Sequence, residues 1–148
     1  MQVKDVMTPD PACCTPHTSL VDVANLMVTN DCGEIPVVDS ESNKNPVGVV
    51  TDRDIVVRIV AKGLNPAEKA AGDCMSTPVV TVTPDISIEE CCRIMEEKLV
   101  RRVPVVDENG AISGIVALAD IARQTQKSVA GQVVKEVSEP SRSSAAAR

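Results

Sequence analysis

The sequence predicts an α/β fold of the α+β kind, made of two β-α-β-β-α repeats packed with pseudo-twofold symmetry. Three observations predict it: an internal duplication, a serine-capped amphipathic helix in each copy, and two apolar runs of strand length after each helix. Met7, Pro16, Ser19, Met27, Pro36, Val37, Val38 and Asp39 recur 68 positions later as Met75, Pro84, Ser87, Met95, Pro104, Val105, Val106 and Asp107. After a two-residue contraction the match resumes at an offset of 66, pairing Gly48, Val50, Asp54 and Ile55 with Gly114, Val116, Asp120 and Ile121.

Each element follows from local chemistry. Ser19 caps a helix whose apolar face is Leu20, Val23, Ala24 and Met27, spaced at i, i+3, i+4 and i+7. In the second copy Ser87 with Glu90 makes a capping box, ahead of the buried stripe Ile88, Cys91, Cys92, Met95 and Leu99. The runs IPVVD (35–39) and VPVVD (103–107) contain a proline, which places Pro36 and Pro104 where a sheet opens. Polar turns, ESNKN and ENG, lead to the hairpin partners PVGVV (46–50) and ISGIV (112–116). A helix over residues 52–62 stops at Gly63, a left-handed cap, and one short helical turn is expected between Pro66 and Ala71. The last helix runs from Leu118 to Lys127. Residues 1–63 are thus one repeat, 64–73 a linker, 74–127 the second repeat, and 128–148 a Ser- and Ala-rich tail expected to be mobile.

Composition bounds the function. Each repeat is marginal alone, so the halves are expected to need each other. There is no Phe, Tyr or Trp among 148 residues, so the core is aliphatic and aromatic stacking on a ligand base is excluded. A net charge of -6 argues against nonspecific binding to nucleic acid or an anionic membrane. The stretch from Met1 to Cys14 has no apolar run of signal-peptide length, which reads as cytoplasmic. Six cysteines, at 13, 14, 32, 74, 91 and 92, lack metal-ligand spacing and read as reduced, small hydrophobes, with no metal site implied. Catalysis is not expected: His17, the one histidine, sits in the turn TPHTS, and no serine or cysteine has a visible base to activate it.

The segment GVVTDRD (48–54) is where ligand chemistry is best placed. Gly48 lets a backbone or a ligand approach closely, the strand ends at Val50, and Thr51 and Asp54 stand at a helix start. A carboxylate there suits the two hydroxyls of a ribose. The same pair also serves a purely structural role, with Thr51 as cap and Asp54 complementing the helix dipole. Arg101 and Arg102 are open in the same way: they suit phosphate, and they suit a helix C-terminus with Glu96 or Glu97 as partners.

An hPVVD strand followed by GhhTxxD, present twice, resembles the cystathionine beta-synthase (CBS) domain pair, or Bateman module, over residues 5 to about 125. MEEKLVRRVPVVDENGAISGIV (95–116) and GVVTDRDIVVR (48–58) look especially like stand-alone bacterial and archaeal members. The resemblance implies clefts that bind adenine nucleotides or related adenosyl ligands, each built from both repeats. The first site would draw Val49, Thr51, Arg53 and Asp54 from one copy, and Val80, Thr81, Val82, Val100, Arg101, Arg102 and Pro104 from the other. Asp54 would hold ribose, Thr51 would contact ribose or phosphate, the arginines would neutralise phosphate, and backbone near Val80 to Val82 would read adenine. The second, weaker site would use Cys13, Cys14, Thr15, Cys32, Gly33, Glu34, Pro36, Ile115, Ala117 and Asp120. Ala117 stands there in place of threonine and Glu34 in place of Arg102, and a carboxylate facing phosphate costs on the order of a kcal/mol.

The resemblance therefore implies a non-enzymatic regulator that senses AMP, ADP, ATP, NAD or S-adenosylmethionine, requires no cofactor, pairs into a homodimer, and acts in trans on an unknown protein. Two other readings stay open: a ligandless CBS dimer serving as an interaction module, and a thiol or metal sensor using Cys13, Cys14 and Cys32.

Overall fold

Ser19 and Ser87 start the two long helices, as their spacing requires. In the computed structural model, which describes residues 1–126, helix α1 spans Leu20–Asn30 and α3 spans Ile88–Lys98. Ser19 Oγ accepts the amide of Asp22, and Ser87 Oγ accepts that of Glu90, each at 3.1 Å. Only half of the expected capping box forms at Ser87. Glu90 turns instead to Arg93, whose Nε donates to it at 2.9 Å, because a charged partner one turn ahead competes for the carboxylate.

Strands β1 (Thr8–Pro9), β2 (Glu34–Val38), β3 (Pro46–Thr51), β4 (Arg102–Val106) and β5 (Ile112–Ala117) form two sheets, β1-β5-β4 and β2-β3. Short helices α2 (Asp52–Ile55) and α4 (Leu118–Thr125) follow the hairpins. The chain divides into two packing units. One contains Ala12–Val79 with Gly110–Ile112, and the other, among the described residues, Met1–Pro11, Val80–Asn109 and 113–126. The amino-terminal segment thus packs with the second repeat's hairpin.

In the β2–β3 unit, Ile35 lies opposite Val50 and Val37 opposite Gly48, with an irregularity after Val37. The strand expected before α1 shrinks to a single parallel bridge, Cys14 to Val37, because Pro11 and Pro16 flank it and lack amide donors. The amide of Cys14 donates to the Pro36 carbonyl, so the strand proline is tolerated where only its C=O is needed. A further segment completes the sheet: Ser76 exchanges both backbone bonds with Val49, at 2.8 and 3.1 Å. Gly48 permits this approach. A Cβ there would lie 2.9 Å from the Ser76 carbonyl oxygen.

The β4–β5 unit repeats the arrangement. Val82 makes the parallel bridge to Val105, and Thr8 and Pro9 pair with Ile115 and Gly114. A Cβ on Gly114 would lie 3.0 Å from the Thr8 carbonyl oxygen. The backbone, not a ligand, is what approaches these glycines.

Each unit has an aliphatic core. Leu20, Val23, Met27, Ile35, Val37, Val50 and Ile59 fill one, while Ile88, Cys91, Cys92, Met95, Val103, Val105, Val116 and Ile121 fill the other. Two expected members fall outside: Ala24 is exposed, and Leu99 is 66% exposed. Leu99 is the left-handed C-cap of α3, φ 57°, where the chain turns away from the helix axis, so its side chain leaves the stripe. Helix α2 also departs from expectation. After Ile55 the chain widens into a π-helix, Val56–Val60, before Gly63 at φ 75°. The run Ile55, Val56, Val57, Ile59 and Val60 is β-branched, which lowers its propensity for a regular α-helix. Two 3-10 turns, Pro66–Glu68 and Ala71–Asp73, occupy the linker region. Residues 128–148, expected to form the tail, lie outside the described residues.

Leucine in the left-handed region is strained, and glycine there is not. Leu99→Gly is expected to stabilise the fold by about 0.5 to 1 kcal/mol. Leu99→Ala, which keeps the Cβ, should not. Urea denaturation of the three proteins checks this, and a destabilised glycine variant would contradict it.

Candidate functional site

Thr51 closes β3 and caps α2 through a reciprocal box: Thr51 Oγ1 accepts the Asp54 amide and an Asp54 carboxylate oxygen accepts the Thr51 amide, both at 3.0 Å. The structural role open in the sequence is therefore realised. It does not exhaust Asp54. Ser76 Oγ donates to both carboxylate oxygens, at 3.1 and 3.2 Å, and Arg58 Nε stands 3.8 Å away, one turn along. Arg58 also donates to the carbonyls of Cys74 and Met75. Ser76 and Arg58 were not singled out from the sequence. The i, i+4 spacing of Asp54 and Arg58 carried a signal for one of them.

Val49 pairs with both Pro36 and Ser76, and Arg53 is exposed on the first turn of α2. Glu34 is the register partner of Thr51 across the hairpin, so a second carboxylate belongs to this end of the sheet. Beside it, a groove of about 570 Å³ is lined by Ala24, Met27, Val28, Asp31, Cys32, Gly33, Asp52, Ile55 and Val56. Gly33 and Asp52 are in tight contact there. The Asp52 amide donates to the Gly33 carbonyl at 2.9 Å, and a Cβ on Gly33 would meet the Asp52 carboxylate at 2.8 Å.

The other group of expected residues belongs to the β4–β5 unit. Val82 has its side chain in the core, and both of its backbone polar groups are spent on Pro104 and Val106, so its backbone is not open to a ligand, contrary to expectation. Val100 packs against the core, Arg101 is exposed with its carbonyl accepting the Leu118 amide, and Pro104 is buried. Arg102 is half-buried, and its Nε is enclosed with no hydrogen-bond partner among the described residues. Glu97 pairs with Arg93 at 3.0 Å rather than serving the arginine pair.

The equivalent of the Thr51 cap is missing in the second copy. Ala117 occupies the N-cap of α4 with no side-chain bond, Asp120 is taken by Arg123, and Ile115 is buried opposite Thr8. Thr15 is tied to Thr18 in the turn that leaves His17 exposed, and Cys32 Sγ donates to the Glu34 carbonyl at 3.5 Å.

Burial governs the thiols. It pushes Cys14 up to about 12, with Cys13 and Cys74 adding to the rise, and it pushes Cys91 to about 12 and Cys92 to about 11. Cys74 is also raised, by burial first and then by Asp54. Protonated, enclosed thiols are poor nucleophiles and poor metal ligands. Cys13 and Cys32 remain half-buried, and among the described residues no group of three or more His, Cys, Asp or Glu is arranged to hold a metal ion. No helix among them is long and apolar enough to cross a membrane.

The CBS domain family matches residues 3–61 and 71–126. The CBS domain-containing protein YhcV of Bacillus subtilis is 36% identical over 137 residues, covering 92% of this chain and 94% of that protein. Uncharacterized protein MK0525 of Methanopyrus kandleri is 36% identical over 82% of this chain, which spans 61% of its length. Among solved structures, Hypoxic Response Protein I with two coordinated zinc ions has a TM-score of 0.75 at 36% identity, covering 83% of this chain and 98% of that one. That protein is from Mycobacterium tuberculosis. The CBS domain pair of MJ0100 with 5′-methylthioadenosine and S-adenosyl-L-methionine has a TM-score of 0.75 at 25% identity, covering 86% and 97%. CBSX2 of Arabidopsis thaliana in complex with AMP has a TM-score of 0.72 at 30% identity, covering 85% and 96%.

The raised thiols set a pH dependence. Their ordinary value is 9.0, so in the unfolded chain they ionise near it while the folded chain holds its protons. The stabilisation is full below 9.0 and is lost as pH rises towards 11 and 12. The urea midpoint is therefore expected to be flat up to about pH 8.5 and to fall above it. A thiol reagent at neutral pH should label Cys13 and Cys32 in the native protein, and Cys14, Cys91 and Cys92 only on unfolding. Rapid native labelling of the latter three, or a flat midpoint to about pH 11, would contradict the burial argument.

Proposed function

Because the chain belongs to the CBS domain family, we propose that it is a regulatory protein that binds an adenine nucleotide or a related adenosyl compound and acts in trans on a partner protein. The observation that carries this reading is Arg102. The guanidinium is half-buried and its Nε has no hydrogen-bond partner among the described residues, so a turn of the side chain outward would let it meet an anionic oxygen. Phosphate fits that requirement best, since arginine presents a rigid fork to it.

The relatives lend support: MJ0100 holds 5′-methylthioadenosine and S-adenosyl-L-methionine, and CBSX2 holds AMP. On this reading Asp54 takes the ribose and Thr51 lies beside it, flanked by Val49 and Arg53. Arg102 and Arg101 take phosphate, and Val80 and Thr81 read the base edge, with Val82, Val100 and Pro104 supplying apolar surface. The set built on Ala117, Asp120, Ile115, Gly33, Cys13 and Cys14 is weaker, because Ala117 lacks the hydroxyl and Arg123 occupies Asp120. AMP, ADP, ATP, NAD and S-adenosylmethionine are the candidate ligands. No reaction is assigned to the chain, and the cytoplasm is its proposed compartment.

Calorimetric titration with those five compounds tests the reading. At least one is expected to bind; Asp54→Ala should weaken it at least about tenfold, and Arg102→Met should weaken the phosphate-bearing ligands more than S-adenosylmethionine. Absence of binding by all five would overturn it.

We also propose a homodimer, supported by Val28, Val56 and Val60, which are 79%, 56% and 51% exposed on the helices of the β2–β3 unit. Sedimentation at micromolar concentration should give twice the chain mass, and Val56→Glu with Val60→Glu should halve it. A wild-type monomer would sink this part of the proposal.

A further inference from the structure

Asp54 is shared among more donors than a helix cap requires. Its carboxylate, with the side chain 12% exposed, takes the Thr51 amide, the Ser76 hydroxyl and the ionic attraction of Arg58. A carboxylate offers about four lone-pair sites. Ser76 Oγ is nearly equidistant from the two oxygens, at 3.1 and 3.2 Å, so it straddles them where a bidentate partner docks. Two adjacent sugar hydroxyls need that same pair of oxygens.

We propose that Ser76 is a resident competitor at Asp54. Its hydroxyl holds the ribose position in the free protein and yields it when a ligand's vicinal hydroxyls arrive. This rests on the reading of Asp54 as the ribose acceptor and adds a means of regulation to it. Ser76 stands three residues before the β2–β3 unit ends at Val79, on the segment by which the chain leaves for the other unit. Three ties hold that segment: the backbone pair of Ser76 with Val49, the Arg58 guanidinium on the carbonyls of Cys74 and Met75, and the Ser76 hydroxyl on Asp54. Ligand removes the third tie. Occupancy of Asp54 is thereby converted into loosening of the crossing segment, with no new contact required.

The test is calorimetry with AMP, and with S-adenosylmethionine as a probe carrying the same ribose without phosphate. Deleting the competitor in Ser76→Ala should tighten both about three- to tenfold. Ser76→Cys, which keeps the volume and weakens the donor, should move the same way, whereas Ser76→Thr, which keeps the hydroxyl, should stay within about twofold of wild type. The gain should vanish when Ser76→Ala is combined with Asp54→Ala. Amide exchange at Ser76 should speed up when AMP is added to wild type and stay unchanged in Ser76→Ala. Equal or weaker binding by both the alanine and cysteine variants, with wild type still binding, overturns the competitor and leaves the nucleotide reading standing. Loss of all binding in wild type and variants alike overturns both.

Discussion

A backbone-to-backbone approach over a glycine is the contact on which both sheets depend. Ser76 pairs with Val49 beside Gly48, and Thr8 and Pro9 pair with Ile115 and Gly114. Any side chain on either glycine would collide with the partner carbonyl or with Met75 or Met7. Each hairpin therefore acquires its extra edge from a segment that belongs, by sequence, to the other repeat. A two-stranded hairpin is marginal in water, and this addition is what each unit uses to reach a stable sheet.

The same contact places the groups around Asp54. Because Ser76 is brought to Val49, its hydroxyl reaches Asp54, and because Arg58 lies one turn beyond Asp54, its guanidinium reaches the carbonyls on either side of Met75's own backbone step, at Cys74 and Met75. Capping and ligand chemistry do not exclude each other at Thr51 and Asp54. A reciprocal box consumes one oxygen site on each side chain and leaves the carboxylate able to serve another donor. The free chain fills that capacity internally.

Divergence between the copies reads as chemistry once the contacts are known. Thr51 caps α2, whereas Ala117 leaves α4 without a side-chain cap, and Asp54 is met by Ser76 where Asp120 is met by Arg123. Glu34 and Arg102 are matched in the duplication and opposite in charge, which divides the copies between an acidic and a basic residue at that position. The cysteines do not follow that division. Four of the six, Cys14, Cys74, Cys91 and Cys92, are buried core members whose thiols burial keeps protonated.

The sequence by itself determined the duplication, the serine caps, the hairpins and the aliphatic core, along with Thr51 and Asp54 as a pair. These rest on spacing within a few residues, where helix and strand periodicity and capping act, so they are legible in one dimension. Tertiary structure alone decided the rest. It assigned Met1–Pro11 to the second repeat's sheet, lifted Leu99 out of the stripe at a left-handed cap, and brought Ser76 to a carboxylate 22 positions away. Such choices turn on which distant edge a segment pairs with. That is settled by the free energy of the whole packing, and an edge's open N–H and C=O groups carry no residue-specific signature of their eventual partner.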